Sequence, residues 1–121
     1  DYTASADDNV LVQGVGGDRY ALGYFGYAYY VENMDKLKLV AINDGEGCVL
    51  PNNQSINDGS YSPLSRPLFI YANKSSIRRP EVAAFLEFYM EHSGKLAEEV
   101  GYVRLPSSNY DVSLLKIKNS Q

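Results

Sequence analysis

The 121 residues fit one ordinary domain and leave little room for several joined by linkers. Hydrophobic residues make up 45% and charged residues 21%, which excludes a disordered tail, a collagen and a coiled coil and predicts a buried core. Eleven Lys and Arg against fifteen Asp and Glu give a net charge of −4, so the chain presents no net basic field and no nucleic-acid partner is expected.

In chain order, Asp7 and Asp8 precede a short apolar segment, 9–17, that closes on glycines. Acids at the start and glycines at the end predict a brief helix, with the acids capping it and complementing its positive end. After a turn at Gly17-Asp18, residues 21–27 predict a buried strand, and the chain continues from Ala28 as a helix ending near Asn33. Residues 36–42 alternate polar and apolar before becoming continuously apolar, which is strand behaviour with one end near solvent. Asn43-Asp44-Gly45-Glu46-Gly47 turns the chain, and 51–67 is mostly loop with one helical turn around 54–58. Leu68-Phe69-Ile70-Tyr71-Ala72 predicts another buried strand.

Pro80 suits a first helical turn and Gly94 a position just past the end, so 80–93 predicts a helix with Val82, Phe85, Leu86 and Tyr89 on its core face. Residues 95–100 predict a second short helix closed by Gly101, 102–106 an extended link, and 108–117 a last helix capped by Ser107 or Ser108. The pattern is mixed α/β without an internal repeat. Three clear strands are thin for a self-sufficient sheet, and the polar, acidic start without Met or an apolar leader reads as a cut chain, so missing sequence is expected.

The longest near-apolar run, 21–31, has eleven residues including two Gly and four Tyr, against the roughly 20 apolar residues that cross a bilayer. No membrane span is expected. A lone Cys48 rules out an intrachain disulfide, and no ligand spacing marks a metal site. Cys48 has no basic sequence neighbour and reads as a small buried residue. Asp7-Asp8 is more simply a cap than an acid/base pair. Gly14-Val15-Gly16-Gly17 follows a helix instead of joining a strand to one, so it reads as a turn and not as a phosphate loop. His92, near the predicted helix end, suits the dipole better than catalysis. Arg78-Arg79 reads as a solvated pair beside Glu81. Tyr24, Tyr27, Tyr29 and Tyr30 read as core strand plus half-exposed helix before they read as a binding surface. The sequons Asn53-Gln54-Ser55 and Asn73-Lys74-Ser75 would matter only in a eukaryotic secretory protein. No catalytic residue, metal ligand or cofactor emerges from the residue chemistry.

Asp7-Asp8-Asn9-Val10-Leu11-Val12-Gln13-Gly14-Val15, followed by Ala21-Leu22-Gly23-Tyr24-Phe25-Gly26-Tyr27-Ala28-Tyr29-Tyr30, resembles the PstS-like phosphate-binding proteins of bacterial ABC transporters. Pro63-Leu64-Ser65-Arg66-Pro67-Leu68-Phe69-Ile70-Tyr71, Arg79-Pro80-Glu81-Val82-Ala83-Ala84-Phe85, Val100-Gly101-Tyr102-Val103 and Leu105-Pro106 match in the family's order and spacing, so the resemblance extends from Asp7 to about Leu115. It implies an α/β, two-lobed, periplasmic-binding-protein-like fold of type II, of which this chain is the C-terminal portion only. By that analogy 1–65 finish the second lobe, 66–121 supply the returning hinge strand and the C-terminal helices of the first, and Ser65, Arg66 and Pro67 form the hinge.

The family holds phosphate between its lobes through helix-start N–H groups, hydroxyls, an Arg and an Asp. Its Ser/Thr-Gly and Arg-x-x-Ser-Gly-Thr-like motifs find no match here, so the phosphate ligands are expected upstream of Asp1 and none is carried over. The resemblance implies a binding protein, not an enzyme, whose parent captures inorganic phosphate by lobe closure and delivers it to an ABC permease. It places that parent in the periplasm or outside the cell, with or without a lipid anchor. The alternative is a stand-alone tyrosine-rich interaction or assembly module without phosphate binding; a hydrolase built on Asp7, Asp8 and His92 is the third reading and has nothing in its favour. Half a core and unpaired strand edges also predict association, either as a homodimer or with an N-terminal fragment.

Overall fold

The computed structural model describes residues 2–120; Asp1 and Gln121, the outer ends of the two expected regions, lie outside the described residues. Its elements are α1 (Asp8–Gly17), α2 (Tyr27–Val31), β1 (Ile42–Asn43), β2 (Cys48–Val49), α3 (Asn53–Asn57), a 3-10 turn (Ser76–Arg78), α4 (Pro80–Glu99) and α5 (Ser107–Lys118). The chain divides into two units, one running up to Ser65 with Gly101–Val103 added, the other comprising Arg66–Val100 and the residues from Arg104 on.

In the first unit, α1 starts where the acids predict it. The Asp7 carboxylate accepts the Asn9 N–H at 3.0 Å, satisfying one of the orphan donors of the first turn. Val12 is the buried side chain of this helix, at 5% exposure. The Asp8 carboxylate accepts from the Gly26 N–H at 3.4 Å and so ties the entry of α2 to the start of α1. The segment 21–26 between them is not the expected buried strand: Leu22 and Tyr24 are 82% and 61% exposed. A strand exists only through pairing, and the described residues supply no partner for this one. Gly23 lies so close to α1 that a Cβ would stand 2.5 Å from Val15 Cγ2, which only glycine tolerates.

The ladder is β1 with β2, antiparallel, pairing Ile42 with Val49 and Asn43 with Cys48. The Asn43 side chain organises the turn by accepting the Gly45 and Gly47 N–H groups at 2.9 and 3.1 Å. Both glycines hold positive φ, 105° and 115°, where a side chain would be strained. Of the expected strand 36–42, only Ile42 joins the ladder. Cys48 faces solvent, which corrects its reading as buried: this two-residue hairpin has no layer on that side. The helical turn expected around 54–58 is α3, closed by a capping box between Asn52 and Ser55. The Tyr61 hydroxyl donates to the Val40 carbonyl at 3.2 Å and the Ser62 hydroxyl to the Asp44 carboxylate, which fastens the following loop to the hairpin.

In the second unit, α4 begins at Pro80 as predicted but does not stop at Gly94; it absorbs the expected second helix and ends at Glu99. Gly94 is there for packing. A Cβ on it would stand 2.8 Å from Arg104 Nε, and the helix terminates instead before Gly101, whose φ is 83°. The core consists of Ile77, Leu86 and Ile117 with Val82 and Met90 packed against them, and Ala83 of α4 is also buried. Phe85 and Tyr89, expected on the core face, are 61% and 40% exposed. The buried stripe is rotated toward Ala83, Leu86 and Met90 because α5 and the 3-10 turn pack there. α5 starts at Ser107, directly after Pro106 and without the predicted serine cap.

Candidate functional site

The chain first passes from one unit to the other between Ser65 and Arg66. The Ser65 N–H donates to the Tyr61 carbonyl at 2.8 Å, closing the turn that precedes it. Its hydroxyl is buried with no hydrogen-bond partner among the described residues, an arrangement that costs about 1–3 kcal/mol of desolvation. Arg66 and Pro67 are exposed. Beyond them, residues 68–72 are also exposed, so the second strand expected to be buried has neither a ladder nor a cover here.

Within the first unit an open groove of about 570 Å³ runs between the end of α1 and the segment 36–41. Arg19, Lys36 and Lys38 line it, with Asp18 as the opposing charge. A smaller hollow of about 310 Å³ shares Gly16 and Lys36 with it. Sequence reasoning did not single out this basic edge, although the signal is present. Lys36 closes the turn that follows α2, its N–H donating to the Asn33 carbonyl at 3.0 Å, and Lys38 follows two residues later. Gly16, with only the Lys36 Cβ within 3.8 Å of where its own would stand, keeps the end of α1 thin. Such an edge attracts anions weakly, since its charges are solvated.

The other residues weighed in the sequence have structural work. Asp7 caps α1, Asp8 holds the Gly26 N–H, and Gly14, Gly16 and Gly17 belong to α1 itself. His92 lies well inside α4, not at its end: Nδ1 is 2.9 Å from the Phe88 carbonyl, and the ring stacks on Phe88 with centroids 4.2 Å apart. Arg79 pairs with Glu81; the helix-start N–H of Glu81 itself, and then Arg79, hold the Glu81 carboxyl below its ordinary range. Hydrogen bonds from Ser60, side chain and backbone, do the same for Asp58. Tyr27, Tyr29 and Tyr30 are half-buried, and Tyr27 stacks on Tyr30 at 6.0 Å, while Tyr24 is exposed. Partial burial, with Tyr24 nearby, raises the Tyr61 hydroxyl above its ordinary pKa. Among the described residues no group of three or more His, Cys, Asp or Glu is placed to hold a metal, and no helix is long and apolar enough to cross a membrane.

No family model matches the chain. It is 43% identical to Protein SphX of Synechococcus elongatus over its whole length, covering 36% of that protein. It is 44% identical over 94% of its length to the phosphate-binding protein PstS of Staphylococcus aureus, covering 35% of it. The chain therefore spans about a third of the curated relatives it matches. Among solved structures, a possible phosphate binding protein from Planctomyces limnophilus superposes with a TM-score of 0.85 at 49% identity, over 99% of this chain and 43% of that one. Sequence and fold together place this chain with the PstS-like proteins, carrying part of their α/β, periplasmic-binding-protein-like fold.

Proposed function

We propose that this chain is the C-terminal portion of a solute-binding protein that captures inorganic phosphate for an ABC transporter by closing two lobes over it, without covalent chemistry. The observation that carries the reading is the likeness to the Planctomyces limnophilus protein, close in both sequence and fold over 99% of the chain. In this account residues up to Ser65 complete the second lobe, Arg66 onward returns to the first, and Ser65, Arg66 and Pro67 are the hinge. The change of unit between Ser65 and Arg66 supports that division. The phosphate ligands lie upstream of Asp1, and the whole protein works in the periplasm or outside the cell beside its permease.

This reading makes phosphate capture the task of the whole protein. Equilibrium dialysis of labelled phosphate tests it. A protein joining this chain to the remainder of a PstS-like chain should retain phosphate against excess sulfate. Equal displacement by both anions, or no retention, would reject phosphate as the cargo. The alternative, a tyrosine-rich assembly module, draws on the exposure of Tyr20, Tyr24, Phe69 and Tyr71; it predicts a defined oligomer of this chain that forms whether or not the remainder is present.

A further inference from the structure

The chain passes between its two units three times, after Ser65, before Gly101 and after Val103. The last two passages bound a short excursion from the second unit, and both of its ends are fixed. On the first-unit side, a Cβ on Gly101 would stand 3.0 Å from the Ala28 Cβ of α2, and Gly101 holds a φ of 83°. Glycine is therefore required there on two counts, space and backbone conformation. On the second-unit side, Arg104 packs onto buried Gly94 of α4, where a Cβ would stand 2.8 Å from Nε and 3.2 Å from Cζ. The next residue is tied to α5, the Leu105 N–H donating to the Tyr110 hydroxyl at 3.3 Å.

A turn that merely ended α4 would need the positive φ but not the fit against α2. Gly101–Val103 instead joins the units a second time, far in sequence from the passage at Ser65. One covalent connection lets two bodies swivel freely, whereas a second restricts them to bending about the line through both. Bending of this kind is absorbed by a few residues at element ends. Gly101 lies just past α4, after the cap residue Val100, and has no side chain to oppose a change of φ and ψ. We propose, resting on the PstS-like reading above, that Gly101–Val103 is a second arm of the hinge and Gly101 the residue on which it turns. Arg104, seated on Gly94, keeps the bend out of α4 and α5.

Backbone amide NMR relaxation on this chain reads the tumbling of each unit without phosphate. The two units should share one correlation time. Gly101→Val, which puts a β-branched side chain at positive φ beside Ala28, should split it into two shorter ones while the helical circular dichroism stays unchanged. Gly101→Asn combined with Ala28→Gly tolerates the positive φ and restores the space, and should return the single time. Separate tumbling in the unaltered chain, a single time that Gly101→Val leaves intact, or a double variant that stays split each overturns the proposal. Should Gly101→Val lose helix, Ala28→Leu crowds Gly101 from the other side and is read by the same criteria. In the protein joined to the remainder of a PstS-like chain, Gly101→Val should weaken phosphate retention about tenfold, because fewer molecules reach the closed state. Retention equal to that of the unaltered protein overturns the hinge role. No retention by the unaltered joined protein, with tumbling still split by Gly101→Val, leaves the second arm standing and rejects the phosphate reading instead.

Discussion

Asn43, Asn52 and Asn73 show how much of this chain is held by single short polar side chains. Each accepts N–H groups a few residues downstream: Asn43 in the hairpin turn, Asn52 at the start of α3, and Asn73 ahead of the 3-10 turn, where it receives the Ser75 N–H at 2.9 Å. Bonds of this kind are local, so Asp7 as a cap and the turn at 43–47 were legible from sequence. Cys48 was not, because its exposure depends on whether another layer covers the hairpin. Tyr61 supplies a pH test. Its raised pKa means that the neutral phenol is favoured in the folded state. The associated stability is fully present below the unfolded value near about 10 and is lost as pH rises from there through the higher folded value. Denaturation midpoints between about pH 9 and 12 should therefore fall less steeply for Tyr61→Phe than for the unaltered chain. Parallel alkaline slopes in the two proteins would contradict the assignment.

At the scale of elements, helices were readable and strands were not. α1 starts at its acids and α4 at Pro80, as contiguous sequence predicts, whereas α4 runs on through Gly94 and α5 forms without its expected serine cap. The segments 21–27 and 68–72 have strand composition, but a strand needs an edge elsewhere in space, and the described residues provide none. Gly94 misled for a different reason: a glycine at a close approach to Arg104 looks in sequence like a glycine that ends a helix. The register of α4 gives the corresponding prediction. Leu86→Ala removes a side chain from the Ile77 and Ile117 cluster and should cost about 2–4 kcal/mol. Phe85→Ala, one position away and exposed, should stay within about 0.5 kcal/mol in this chain. Urea melts of the two variants decide it; the reverse order would mean that the core face is centred on Phe85 and not on Leu86.

For the whole molecule, family motifs along the chain gave the fold class and the kinship with phosphate-binding proteins, and the 49% identical structure bears out the fold. The basic edge of Arg19, Lys36 and Lys38 escaped because it arises only when the segment 36–41 lies beside the end of α1. The curated relatives extend well beyond the matched part, and this chain covers about a third of their length. The central claim is that phosphate recognition needs the part beyond the match. Titration calorimetry with inorganic phosphate, run on this chain and on the chain extended upstream by the rest of a PstS-like sequence, tests it most directly. The account predicts no saturable heat from the chain alone and a one-to-one binding isotherm from the extended protein; a tight one-to-one isotherm from the chain alone would contradict it.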